Sequence, residues 1–105
     1  MNEQLEDYIK YVSALLLGNL IPDGAVIKKE VTDYLAALRP RMTQLAQGII
    51  DKQLTYDFVV SRMRDEAENL KLLLLSILQI AEAEAQDIAN LAIMALESFL
   101  KKQVP

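Results

Sequence analysis

Between Ile49 and Val104 the chain contains neither glycine nor proline, and its apolar and small residues recur at helical spacing. Tyr56, Val59, Met63, Ala67, Leu70, Leu74, Ile77, Ala81, Ala85, Ile88, Ala92, Ala95 and Phe99 follow one another in steps of three or four, the α-helical period. The pattern predicts one long helix over Tyr56–Gln103, a rod of roughly 70 Å at the usual rise per residue. A compact domain of this size has a radius of gyration of only about 13 Å. Such a rod must therefore be broken or be covered by other helices, from its own chain or from others.

Two earlier helices are predicted. The first runs from Glu3 to Asn19, with Asn2 as N-cap and with Glu3, Glu6 and Asp7 in the first turns, where negative charge suits the helix dipole. Leu5, Ile9, Val12, Leu16 and Leu20 form its stripe, widened by Leu15 and Leu17. Ile21-Pro22-Asp23-Gly24 reads as a turn, with Asp23 able to cap the next helix. That helix begins near Ala25 and buries Ile27, Val31, Leu35, Leu38, Met42, Leu45 and Ile49. Its stripe keeps phase across Pro40, which implies a kink rather than an end. Gly48 reads as the residue that stops it. Thr55 then caps the long segment, with Leu54 and Val59 in staple positions. Arg62–Glu66, Arg64–Glu68 and Glu97–Lys101 are spaced as i,i+4 surface pairs.

The expected fold is therefore all-α and a single domain spanning residues 1–105: a three-helix antiparallel arrangement with a very long C-terminal helix. A four-helix bundle results instead if that helix breaks near Glu82–Ala85. No breaker residue stands there, and the unbroken helix is the preferred reading.

Composition narrows the chemistry. Cysteine and histidine are both absent. This removes disulfides, thiolate nucleophiles, zinc–thiolate sites, the usual general base and the usual transition-metal ligand. Ser13, Ser61, Ser76 and Ser98 consequently have no histidine to activate them, and no glycine-rich phosphate loop is present. The net charge of −4 and the scattering of basic residues in small pairs argue against a nucleic-acid partner. The apolar run Val12–Ile21 follows acidic residues rather than the basic leader of a signal peptide. Leu72–Ala81 is much shorter than the ~20 residues that cross a bilayer. A cytoplasmic location is the expectation, with no membrane association.

The segment Leu70–Ala81 (LKLLLLSILQIA) is apolar almost all round the helix. Two shorter helices can hardly cover every side, so the expected function is a non-enzymatic, self-associating scaffold, adaptor or assembly protein, with no cofactor. A homo-oligomer, a dimer first, or another protein partner would bury Leu70, Leu72, Leu73, Leu74, Leu75, Ile77, Leu78 and Ala81. It would also bury the small-residue face of Ala85, Ile88 and Ala92.

The carboxylates supply the enzymatic alternative. Asp65-Glu66-Ala67-Glu68 and Glu84-Ala85-Gln86-Asp87 resemble the Glu-rich helix and the later Glu-x-x-Asp helix of the all-α nucleotide pyrophosphohydrolases of the MazG type. The resemblance implies Mg²⁺ held by Glu66, Glu68, Glu84 and Asp87, and a nucleoside triphosphate held by the metal. It departs from that family because both clusters fall on one expected helix, so they could converge only between chains. The leading reading of these acids is a solvated surface, with no metal site. A third alternative is a carrier of a small apolar ligand among the leucines.

Overall fold

A computed structural model describes residues 2–20 and 25–104, and it is all-helical across them. Helix α1 spans Asn2–Ala14 and runs into a π-helical turn at Leu15–Leu20. Helices α2, α3 and α4 span Ala25–Ile50, Tyr56–Ile77 and Glu82–Lys101. The turn expected at residues 21–24, the Asp23 cap with it, and the side chains of Asn2 and Leu20 lie outside the described residues.

The long C-terminal helix of the sequence reading is two helices. Its chain turns at Leu78–Ala81, just ahead of the Glu82–Ala85 break site considered as the alternative. Leu78 and Ala81 adopt extended backbone (φ −121°, ψ 149° and φ −67°, ψ 150°), although no residue in the turn is a helix breaker. Burial supplies the physical reason. An unbroken rod would leave Ile88, Ile93, Leu96, Phe99 and Leu100 in water, and folding back buries all of them. Each such side chain contributes about 1.5–3 kcal/mol. The few helical hydrogen bonds surrendered at the turn cost about 1 kcal/mol apiece and are partly replaced by water. Local propensity loses to tertiary packing. The molecule measures 41 × 25 × 18 Å, with a radius of gyration of 13.7 Å.

Each helix runs antiparallel to its sequence neighbours, and α4 returns beside α1. Glu6 pairs with Arg39 between α1 and α2 at 2.9 Å. Glu66 of α3 meets Tyr34 and Arg41 of α2. Lys71 of α3 reaches Glu82 of α4 at 2.8 Å. The Tyr8 ring of α1 lies 5.6 Å from that of Phe99, tilted by 57°, and Lys102 sits 5.3 Å above its face. The core follows the expected stripes. Leu5, Ile9, Val12 and Leu16 are buried on α1 and the π turn, as are Val31, Leu35, Leu38, Met42 and Ile49 on α2. Helix α2 continues through Pro40 with its stripe in phase.

Thr55 caps α3 as its sequence indicates, its hydroxyl accepting from the Phe58 amide at 3.2 Å. Val59 is buried and Leu54 packs half-buried on the same core. Gly48 plays a different part from the one its sequence suggests. It lies inside α2, and Lys52 takes the left-handed conformation instead, at φ 59°. The carbonyl of Gly48 accepts from both Gln53 and Leu54, which draws the Leu54 side chain into the space a β-carbon at Gly48 would fill.

Two outcomes follow. Alanine at a mid-helix glycine normally stabilises by up to about 1 kcal/mol. Gly48→Ala should instead lower the thermal midpoint, and in a Leu54→Ala background the same change should raise it. The Lys71–Glu82 pair gives a pH signature. Its hydrogen bond and charge hold the Glu82 carboxyl below, and the Lys71 ammonium above, their ordinary values. The pair's contribution is therefore complete between 4.5 and 10.5, the two ordinary values. It is lost as pH falls through the lowered Glu82 value or rises through the raised Lys71 value. The stability difference between wild type and Glu82→Gln, from urea titrations, should be flat across that window and shrink beyond both ends.

Candidate functional site

The most elaborate polar arrangement joins α2 to α3. Tyr34, Leu38, Arg41 and Leu45 share one face of α2, and Glu66 occupies a core-facing position of α3 between Met63 and Leu70. Glu66 is the buried charged residue among the described residues, at 6% exposure. Arg41 grips it with both arms of its guanidinium, Nε to Oε1 at 2.5 Å and Nη2 to Oε2 at 3.0 Å. The Tyr34 hydroxyl donates to Oε2 at 3.0 Å. The Arg41 Nη1 donates to the Ala37 carbonyl at 3.1 Å, which locks the guanidinium to its own helix. Burial first, then the facing carboxylate, keeps the Tyr34 phenol protonated far above its ordinary range. The hydrogen bond to Glu66 likewise raises Arg41. A groove of about 260 Å³, lined by Arg41, Gln44, Leu45, Leu54, Phe58, Arg62 and Glu66, runs alongside. With its oxygens taken up by three donors, Glu66 is a cross-link between helices and not an available base. Its place in the apolar stripe of α3 was the available sequence signal, masked by the acidic run Asp65–Glu68.

The carboxylates proposed for magnesium are dispersed. Glu66 points inward to Arg41 and Tyr34, Glu68 lies 3.8 Å from Lys71, and Glu84 and Asp87 are exposed on α4. Among the described residues no group of three or more Asp or Glu side chains is placed to hold a metal ion. Of the surface pairs expected on α3, Arg62 pairs with Asp65 at 3.6 Å rather than with Glu66.

The apolar band is divided by the turn between α3 and α4. Leu70, Leu74 and Leu78 are buried within the chain, and so are Ala85, Ile88 and Ala92. The premise that one chain could not cover them does not hold, because α4 itself supplies the cover. Leu73, Leu75 and Ile77 are half-buried against the same core. Ala81 is exposed in the turn, and Leu72 is 55% exposed on a face that also carries Glu68, Asn69 and Ser76. The alanine face of α4 thus packs inward, and its small residues let the other helices approach closely.

Among the described residues, large apolar side chains are left exposed at Tyr11, Val26, Ile50, Phe58, Leu72, Leu91, Met94 and Val104, and two of them share the opposite face of α4. Leu91 is 50% and Met94 61% exposed. Met94 lines a groove against Met63, Arg64 and Ala67 of α3. Tyr11 of α1, 59% exposed, lines a separate groove of about 460 Å³ with Asp7, Tyr8, Ala95 and Ser98. This groove is lined by tyrosines and a carboxylate rather than by the leucines expected around an apolar ligand. No described helix is long and apolar enough to cross a membrane. No protein-family model, curated protein or solved structure matches the chain.

The Glu66 cluster predicts a sign as well as a size. Arg41→Met should cost about 1–3 kcal/mol in chemical denaturation, since it leaves a carboxylate in an apolar setting to which water has only partial access. Replacing Glu66 by Leu in that variant should return part of the loss, because no unpaired charge then remains.

Proposed function

We propose that the chain is a non-enzymatic, self-associating cytoplasmic protein that serves as a scaffold, adaptor or assembly factor through protein–protein contacts. The observation that supports this reading most is the outer face of α4. Large side chains at Leu91 and Met94 stand in water three residues apart on one helix face. Neighbouring exposed apolar groups of this kind are a common mark of interaction surfaces. The chemistry of the chain favours the same reading. It has no histidine or cysteine, and its buried carboxylate is already neutralised by Arg41. Among the described residues no group of three or more acids is placed to hold a metal ion.

The contact surface in this reading differs from the leucine band, most of which the chain itself buries or half-buries, with Leu72 left exposed. A patch on one helix is small, so the association should be modest and dependent on concentration rather than obligate. Light scattering coupled to size exclusion should give a mass that rises from one chain toward two as loading increases into the high micromolar range. A mass of one chain at every concentration would contradict the proposal.

A further inference from the structure

The outer face of α4 has an internal order that its apolar residues alone do not explain. Glu84, Asp87, Leu91, Met94, Ser98 and Lys101 follow one another in steps of 3, 4, 3, 4 and 3, and every one of them is exposed. This is the a/d spacing of a helix-pairing seam, lying on the side of α4 that faces away from the core. The seam is acidic at its N-terminal end, apolar in the middle and basic at its C-terminal end. Read in the reverse direction about its centre, it matches itself: Leu91 falls opposite Met94, Asp87 opposite Ser98, and Glu84 opposite Lys101. Within the chain, among the described residues, Glu84 and Lys101 have no ion-pair partner.

We infer that α4 pairs with α4 of a second copy, antiparallel across a two-fold axis that passes between Leu91 and Met94. A two-fold contact must be self-complementary, each residue meeting its counterpart twice. This seam meets that requirement. Two Leu91–Met94 contacts form the centre, and two Glu84–Lys101 pairs close its ends. Asp87 comes opposite the small Ser98, within a turn of the other copy's Lys101. The two helix dipoles oppose one another, which suits the antiparallel arrangement. Tyr11, which shares a groove with Ala95 and Ser98, lies beside the seam. The central contacts supply the affinity, and the terminal pairs set direction and register.

The inference rests on the self-association proposed above, and the tests separate the two. Sedimentation equilibrium of the wild-type chain over about 10–500 μM should show a reversible monomer–dimer equilibrium. Leu91→Glu should weaken it at least about tenfold, with helical circular dichroism and thermal midpoint unchanged, since the residue is exposed. Lys101→Glu sets Glu84 against a glutamate at both ends and should weaken association roughly fivefold at low salt. The exchange Glu84→Lys with Lys101→Glu should restore wild-type association. A dimer that ignores Leu91→Glu, or that the exchange fails to restore, would overturn this seam while leaving self-association standing. A monomer throughout would overturn both.

Discussion

The structure depends on the mutual burial of α3 and α4. Each carries an apolar face that nothing else in the chain covers adequately, and each is the other's principal neighbour. Leu70 and Leu74 on one helix, and Ala85, Ala89 and Ala92 on the other, are fully enclosed. The alanines allow close approach, and Phe99 extends the contact to Tyr8 of α1. Helices α1 and α2 then complete the enclosure. The turn at Leu78–Ala81 is a consequence of this burial and not its cause. Lys71 and Glu82, facing one another across the turn, steady a corner that packing has already imposed.

Polar groups in this fold act mainly to set how helices sit against one another. Glu66 is the costliest, a carboxylate taken out of water, and it is held by a bidentate guanidinium and a phenol from α2. Its worth is as much in specificity as in stability, because only one rotation of α3 against α2 satisfies all three donors. Arg39 with Glu6 does a similar but weaker service at the exposed α1–α2 border.

The sequence makes the helices legible because apolar periodicity is a local property. The stripes of α1 and α2, the Thr55 cap and the phase kept across Pro40 are all readable from spacing and side-chain type. The turn between α3 and α4 is not, because no glycine or proline marks it. Its cause is a competition between two arrangements of the same stripe, decided by what each leaves in water. The cover over much of the leucine band is hidden from the sequence for the same reason. On a continuous rod the leucine band appears to lack cover, whereas on the folded-back segment Leu70, Leu74 and Leu78 are core and Leu72 stays exposed. Glu66 was read as surface from the acidic run around it, although its position in the Met63–Leu70 stripe places it toward the core.

Because the chain lacks cysteine, paired spin labels can be introduced at chosen positions without competition. The direct test of the folded-back arrangement is the distance between labels at Asp57 and Lys102, near the two ends of the α3–α4 segment, measured by double electron–electron resonance with labelled chains diluted in unlabelled protein. Antiparallel neighbours pack about 10 Å apart, so with label linkers the distance should fall below roughly 30 Å. A distance near 65–70 Å, the length of about 45 residues of continuous helix, would contradict the account.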